Sequence, residues 1–328
     1  MAKMNMVQAL NLALRQEMEK DDSVIVLGED VGVDGGVFRV TNELIDRFGE
    51  DRVVDTPLAE SGIAGMSIGM AAYGLKPVAE IQFSGFAYHC FHQIENHASR
   101  LRWRSQGALT VPMVLRAPYG GGVRALEHHS ESREAYWAHM PGLKMVIPSG
   151  PRNARALLVS AIRDPDPVIF YEPKALYRAF REEVPDEEET IPIGESRIAR
   201  EGDDLTLITY GAMVRPTLEA AERLKQEKGV AAEVIDLLTL SPLDDSLFTE
   251  SVRKTGRAVI VHEAPRSFGP GAEILSRLVE RSFYYLEVPV ARVTGFDVVI
   301  PYFARENAYM PGAERIFRAA KEALETEP

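Results

Sequence analysis

Cysteine is almost absent from this sequence, and so are long apolar runs. Cys90 is the one cysteine among 328 residues, which excludes an internal disulfide and any zinc site built from several cysteines. No uninterrupted apolar stretch reaches the ~18 residues that a membrane-spanning helix needs. The N-terminal stretch contains acids and lacks the apolar core and cleavage site of a signal peptide, so a cytoplasmic protein is expected.

Positive charge is also scarce. Lysine and arginine together number 37 against 49 aspartates and glutamates, which gives a net charge of −12. Because nucleic acids attract basic surfaces, this balance argues against nucleic-acid binding and leaves a basic partner protein or a small anionic substrate. Hydrophobic residues at 45% and charged residues at 26% are ordinary for a globular protein, which excludes a disordered chain.

Common catalytic signatures are missing as well. The sequence has no G-x-S-x-G nucleophile elbow, no Walker A loop and no G-x-G-x-x-G after a predicted strand. It also has no Gly-Asp-Gly followed at a distance by asparagine. These absences argue against an α/β hydrolase, a P-loop nucleotide hydrolase and a Rossmann dinucleotide enzyme.

Short apolar runs alternate with helical patterns, which predicts mostly parallel sheets covered by helices on both faces. We predict two three-layer α/β domains, residues 1–190 and 201–328, joined by a charged, proline-containing linker at 191–200. The predicted strands lie at 23–30, 76–83, 112–118, 143–149, 166–172, 204–211, 230–237, 257–264 and 288–295. The predicted helices include 60–73, 86–104, 151–163, 272–282 and 313–325.

Glu60 stands at the predicted start of a helix, in a loop beyond the carboxyl end of a strand, where open α/β sheets bind ligands. Gly62, Gly65 and Gly69 share one face of that helix, and glycines that cost helix stability indicate close approach to another element or chain. Glu60 itself has two explanations, a functional acid or a carboxylate that complements the helix N-terminus.

Histidines gather in two places. The segment APYGGGVRALEHHSES places His128 and His129 behind three consecutive glycines, which is typical either of a proton-relay loop or of two surface histidines. The second group, on a predicted helix, comprises His89, Cys90, His92 and His97. Its spacing suits a metal poorly, so a polar helix face at a subunit contact is favoured.

A colinear set of motifs runs through nearly the whole chain: GEDVG, DTPLAESGIAGMSIGMAAYGLKPVAEIQF, RAPYGGGVRALEHHSES, PGLKMVIPS, AIRDPDPVIFYEPKALYR and TGFDVVIPY. The set resembles the β subunits of the decarboxylating components of 2-oxo acid dehydrogenase complexes, with the pyruvate type closest. The resemblance implies an N-terminal pyrimidine-binding domain of transketolase type, a transketolase C-terminal-like domain, and thiamine diphosphate as cofactor.

The resemblance also implies partners. In this family the β chain works in an α2β2 heterotetramer. The α subunit carries the Gly-Asp-Gly motif that is missing here, and magnesium is held mainly by that subunit. The implied activity is oxidative decarboxylation of a 2-oxo acid and acyl transfer to a lipoyl carrier of an acyltransferase core. The sequence before His129 favours pyruvate; a 2-oxoisovalerate or acetoin dehydrogenase subunit and a non-catalytic scaffold are the alternatives.

Residue by residue, the resemblance assigns Glu60 to the aminopyrimidine ring, Phe86 to packing on that ring, and His129 to proton transfer and acceptance of the lipoyl arm. It assigns Glu287 to docking of the acyltransferase core, against a solvated acidic surface as the alternative. The residues implied in a structural potassium site, where a simple helix stop is the alternative, are Met113, Val114, Ala161, Asp164 and Asp166.

Overall fold

The computed structural model describes residues 2–327, and its contacts divide the chain into two compact units. The first unit runs to Tyr119 and resumes over Tyr136–Ile193. The second consists of Gly120–Ala135 and the chain from Gly194 onward. A continuous range such as 1–190 could not express this division, because residues 120–135 group with the C-terminal part of the chain.

The first unit begins with a strand and an amphipathic helix and then alternates strands with helices. Its strands are β1 (Ala2–Met4), β2 (Val24–Gly28), β3 (Val53–Asp55), β4 (Lys76–Glu80), β5 (Val114–Tyr119), β6 (Lys144–Val146), β7 (Val168–Pro173) and β8 (Glu182–Val184). Its helices are α1 (Met6–Lys20), α2 (Leu44–Phe48), α3 (Glu60–Ala72), α4 (Phe91–Gln93), α5 (Ser99–Arg104), α6 (Glu134–Ala138), which starts in the inserted segment, and α7 (Pro151–Arg163).

A parallel sheet forms the centre of this unit, with its strands in the order β6, β7, β5, β4, β2, β3. Strands β2, β5 and β7 are buried along their whole length, as expected of parallel strands covered on both faces. Helix α1 packs against α7, and the capping box of Asn5 with Gln8 fixes where α1 begins. All carboxyl ends of these strands meet at one edge, where α3 starts.

The second unit holds a five-stranded sheet in the order β14, β13, β10, β11, β9. Its strands are β9 (Arg197–Arg200), β10 (Leu205–Thr209), β11 (Ala232–Asp236), β12 (Thr239–Ser241), which lies outside this sheet, β13 (Ala258–Pro265) and β14 (Ala291–Gly295). Its helices are α8 (Val214–Lys228), α9 (Ser246–Thr255), α10 (Pro270–Ser282), α11 (Glu306–Tyr309) and α12 (Ala313–Glu325). Pairing within the sheet is parallel except for the edge strand β9, which runs antiparallel to β11.

The segment predicted as a linker contains regular structure. Strand β9 falls inside 191–200 because Arg200 and Ile198 pair with β11. Strand β8 lies in the charged stretch before it and pairs with β1. Charged residues are compatible with such strands, because edge strands carry charge that discourages pairing with other chains.

The helix predicted over 86–104 is broken. It starts as a 3₁₀ turn at Phe86–Cys90, and a π-helical turn at Ile94–Ala98 separates two short α-helical pieces. The wider turn brings residues five apart into contact, so the rings of His92 and His97 lie 5.6 Å apart, centroid to centroid. His92 and His97 therefore lie on the same side of this broken helix.

Residues 2–327 contain neither a membrane-spanning helix nor a side-chain cluster suited to a metal ion. No helix of this part of the chain is both long and apolar enough to cross a membrane. No group of three or more histidine, cysteine, aspartate or glutamate side chains within it is arranged to hold a metal ion.

Candidate active site

Glu60 is the first residue of α3, at the carboxyl edge of the first unit's sheet. The preceding residue, Ala59, has no side chain that could cap the helix, so the start of α3 carries uncapped N–H groups. The N-terminus of α3 is joined to the turn Phe86–Cys90, because the Ser61 hydroxyl donates a hydrogen bond to the His89 carbonyl. This bond brings Glu60 and the aromatic turn to the same edge of the unit.

Glu60 is 8% exposed as a residue, and within residues 2–327 its carboxylate has no hydrogen-bond or ion-pair partner. Its oxygens are not among the fully buried unpaired atoms, so the carboxylate reaches the surface of the unit, where a ligand can contact it. The helix N-terminus favours a negative charge at this position but supplies no hydrogen bond to it. A carboxylate without a partner at this edge fits the protonated ring nitrogen of an aminopyrimidine, which would donate a hydrogen bond to it.

The charge of Glu60 affects the pKa of two neighbouring groups, Glu29 and Cys90. Burial raises the pKa of Glu29, and the charges of Asp30 and Glu60 raise it further. Burial likewise raises the pKa of the Cys90 thiol to about 12, with a contribution from Glu60. Cys90 is therefore a neutral thiol at physiological pH and not a nucleophile.

Phe86 opens the 3₁₀ turn and is half-buried. Its ring meets the ring of Phe83 edge-on, with centroids 6.1 Å apart. Part of the ring is thus used in packing, and the residue as a whole is not fully buried.

Within the described part of the chain, residues 2–327, the glycine face of α3 has no close neighbour. A Cβ added at Gly65 or Gly69 would meet nothing within 4 Å, and at Gly62 it would meet only Ala59 at 3.6 Å. The expected close approach to another element of the same chain is therefore wrong, and contact with a second chain is the remaining interpretation.

The second unit holds the glycine-rich loop that carries the paired histidines. The Glu263 carboxylate, at the end of β13, accepts a 2.8 Å hydrogen bond from the Gly121 backbone. Glu306, the first residue of α11, accepts bonds from the backbones of Gly122 and Arg124. These two acids therefore hold the loop by its backbone.

One glycine in this loop is required by space. Gly120 has φ of +82°, and a Cβ there would lie 2.7 Å from the Glu263 carboxylate. Any larger residue would push Glu263 away from the loop that it holds.

His128 and His129 lie half-buried in the same loop, with ring centroids 5.7 Å apart and planes nearly perpendicular. Ser130 is buried behind them, and its backbone N–H donates to the Glu127 carbonyl. The histidines therefore sit on a tight turn rather than on a free surface tail.

A buried ion network lies close to the carboxyl edge of the first sheet. Arg116 contacts Glu172 through Nε at 2.7 Å and Glu80 through Nη1 at 2.8 Å, and the Tyr177 hydroxyl donates to Glu172 at 2.6 Å. Burial would lower the pKa of Arg116, but the two carboxylates raise it above its usual value. Burial raises the pKa of Glu80, although Arg116 opposes this.

The residues implied in a potassium site fit the ion only in part. Lys144 Nζ lies 2.8 and 2.7 Å from the two carboxylate oxygens of Asp164, and Arg102 Nε lies 2.8 Å from Asp166. The carboxylates of Asp164 and Asp166 are therefore already paired with cationic side chains. The carbonyls of Met113 and Ala161 each accept one backbone hydrogen bond and keep a second lone pair, so only the backbone part of the set could receive an ion.

Glu287 is half-exposed and forms an ion pair with Arg257, at 2.8 Å between Oε2 and Nε. Its backbone N–H donates to the Gly256 carbonyl. The side chain therefore has a structural partner in its own chain as well as an accessible face.

Comparisons with known proteins agree with this architecture. Residues 2–179 match the family model "Transketolase, pyrimidine binding domain", and residues 194–316 match "Transketolase, C-terminal domain". Over 325 residues the chain is 51% identical to the pyruvate dehydrogenase E1 component subunit beta of Staphylococcus epidermidis, covering 99% of this chain and 100% of the relative. The chain belongs to the family of pyruvate dehydrogenase E1 β subunits. The resemblance seen in the sequence is thereby confirmed.

Further comparisons extend this result. The family member of the same name from Staphylococcus aureus is 50% identical over 325 residues, again across 99% of this chain and 100% of the relative. A solved structure described as "Split gene transketolase, inactive beta4 tetramer" has a TM-score of 0.82 with complete coverage of both chains. Its sequence identity is 24%, so this likeness shows the fold alone, and it confirms the predicted pair of α/β domains.

Three functional candidates were missed in the sequence: Glu29, Glu263 and Glu306. Glu29 follows β2, Glu263 lies near the end of β13 and Glu306 begins α11, but a single acid in such a position has no distinctive spacing. Glu29 offered the best signal, because it directly follows the fully buried strand β2.

Proposed function

We propose that this chain is the β subunit of a thiamine-diphosphate-dependent dehydrogenase that oxidatively decarboxylates pyruvate and passes the acetyl group to a lipoyl carrier. Activity requires an α subunit in an α2β2 heterotetramer. The observation that carries the proposal is the identity of about half of all positions with E1 β subunits over the full length of both chains.

Glu60 is the residue we propose to activate the cofactor. Thiamine diphosphate, when bound, supplies the electron sink for decarboxylation. The unpaired carboxylate of Glu60 would hold a proton on the pyrimidine ring nitrogen through a charge-assisted hydrogen bond. The accessible part of Phe86 packs against the same ring, and its contact with Phe83 fixes its orientation.

His129 is proposed to donate the proton that the lipoyl sulfur needs when the acyl group is transferred. Its half-burial suits this role, and so does the loop that Glu263 and Glu306 hold by its backbone. His128 occupies the same loop and serves as a natural comparison for His129.

His129→Ala is expected to slow acyl transfer to the lipoyl carrier by about 10²-fold, the usual contribution of a positioned proton donor. Decarboxylation followed with an artificial electron acceptor should change much less. His128→Ala is the matched control and should affect both reactions little. Equal loss in the two assays, or no loss in either, would contradict the assignment.

The remaining partners follow from the same proposal. Magnesium is held mainly by the α subunit. Potassium, if bound, is held by backbone carbonyls only, because Lys144 and Arg102 occupy the acids. The open glycine face of α3 contacts a second chain, and Glu287 contributes to docking of the lipoyl acyltransferase core in competition with Arg257.

Location and domain limits are proposed on sequence grounds. We place the protein in the cytoplasm, with residues 1–190 as the pyrimidine-binding domain and 201–328 as the transketolase C-terminal-like domain. Residues 191–200 are proposed as the connection between them, and β9 within this range pairs in the second sheet.

Reconstitution with its α subunit tests the substrate. Pyruvate, 2-oxoisovalerate and acetoin are supplied in turn to the assembled enzyme, and kcat/KM is measured for each. Pyruvate is expected to be preferred by at least about 10-fold, and the isolated chain should be inactive with all three. Preference for 2-oxoisovalerate or acetoin would identify one of the other two subunit types, and no turnover of any substrate would favour the scaffold.

A further inference from the structure

A cleft of about 600 Å³ opens in the first unit between helix α1 and the segment that precedes α2. Its volume lies within the range of small-molecule sites. Its wall includes Arg15, Arg39 and Arg178, the amides Asn11 and Asn42, and one acid, Glu43. A smaller cleft of about 310 Å³ adjoins it and shares Arg15 and Glu43.

The cleft is lined mainly by positive charge, although the chain as a whole is negatively charged. Three arginines face one glutamate, whereas the whole chain carries −12. Among residues 2–327, neither Arg39 nor Arg178 has a carboxylate within ion-pair distance. Arg15 is only weakly paired, because Glu19 lies 3.8 Å from it and 2.6 Å from Arg47.

The walls of the cleft are fixed by hydrogen bonds. Asn11 Nδ2 donates to the carbonyls of Val40 and Asn42 at 2.8 and 3.0 Å, which holds the segment against α1. Arg178 donates to the Phe38 carbonyl at 3.0 Å, which aligns its guanidinium with the same segment. A cleft held in this way is largely formed before a ligand arrives.

The backbone of the segment is strained where it borders the cleft. Arg39 has φ of +68° and Glu43 has φ of +63°, a left-handed conformation that is uncommon for residues other than glycine. Such strain persists where surrounding structure imposes it, and it tends to occur at ligand sites. Here the left-handed conformation places Arg39, which has no ion-pair partner among residues 2–327, at the rim of a positively charged cleft.

We propose that this cleft binds a phosphate-bearing small molecule of nucleotide size, with the phosphates held by Arg15, Arg39 and Arg178. Guanidinium groups bind phosphate oxygens through paired, charge-assisted hydrogen bonds, and several of them suit a polyanion better than a single carboxylate. The amides of Asn5, Gln8 and Asn42 and the apolar Met4 offer contacts for the rest of the ligand. The site is independent of the proposed catalytic function.

Calorimetric titration of the assembled α2β2 enzyme, saturated with thiamine diphosphate, tests the site with ADP as probe and adenosine as the phosphate-free comparison. Wild type should bind ADP but not adenosine, and more weakly at higher ionic strength. Arg39→Gln and Arg178→Gln should each weaken ADP binding about 10-fold or more. Arg100→Gln, an exposed arginine of the same unit outside the cleft, is the control.

Binding that both cleft variants leave unchanged would put the anion elsewhere and overturn the proposal. So would binding by the isolated chain alone, because the partner subunit would then cover the cleft. If adenosine bound as tightly as ADP, the phosphates would not contribute to recognition, and the proposal would be wrong. Because Arg178 also holds the Phe38 carbonyl, thermal unfolding of each variant is compared with wild type, and Arg39→Gln serves as the variant without a structural hydrogen bond to lose.

Discussion

Replacing Glu60 by glutamine should reduce turnover of the reconstituted enzyme by about 10²–10³-fold, the usual loss when one electrostatic contact to the reacting system is removed. Glutamine keeps the shape of the side chain but not its charge, so it cannot hold a proton on the pyrimidine nitrogen. Binding of thiamine diphosphate should weaken only modestly, because we propose that the α subunit, and not Glu60, would hold the diphosphate. The measurement is steady-state kcat with titrated cofactor.

Glu29→Gln is the comparison for this variant. Burial and the nearby charge of Glu60 raise the pKa of Glu29. Unlike Glu60, however, Glu29 is not the first residue of α3. Near-normal turnover in Glu60→Gln, or a loss no larger than that in Glu29→Gln, would contradict the assignment of Glu60. Loss of cofactor binding equal to the loss of turnover would point to a binding role alone.

The largest effect on stability is expected at Arg116. Its guanidinium is 1% exposed and is shared between Glu80 and Glu172, which are also buried. Arg116→Met leaves two buried carboxylates without a cation, and breaking a buried ion pair in this way costs about 3–5 kcal/mol. Arg100→Met removes an exposed ion pair to Glu95 and should cost about 0–1 kcal/mol. Urea unfolding of the purified chain compares the two.

The pH dependence of Glu80 variants gives an independent check on the network. Burial raises the pKa of Glu80 in the folded chain above its unfolded value, so its contribution to stability is present at low pH and is lost as pH rises through the folded pKa. Glu80→Gln has no titrating carboxyl at this position, so its stability cannot change with pH through this group. The free energy of unfolding of wild type should therefore fall toward that of this variant as pH rises above the ordinary range of a glutamate carboxyl. A gap that widens with pH would refute the assigned direction.

The regular alternation of strands and helices could be predicted from sequence, because buried parallel strands are continuous apolar runs and the helices between them keep their own period. Helix α7, for example, has the predicted bounds of 151–163. The buried ion network could not be predicted. Glu80, Arg116 and Glu172 come from three neighbouring strands, and only the order of those strands in the sheet brings them together.

The site was predictable only in its types of residue. A carboxylate at the start of α3 could be read from the sequence, but its lack of a partner depends on every element around it. The broken helix after Phe86 escaped prediction because each residue in it tolerates an α-helix, and the π-helical turn arises from packing.

The way in which the histidine loop is held has a consequence for protein synthesis. Glu263 and Glu306 follow the loop glycines they bind by 142 and 184 positions along the chain. Chains emerge from the ribosome N-terminus first, at about 5–20 residues per second, so the loop leaves the ribosome many seconds before either acid exists. A prematurely terminated chain that ends before β13 contains His129 but lacks both acids that hold the backbone of its loop. Translation must therefore run almost to the C-terminus before both contacts can form.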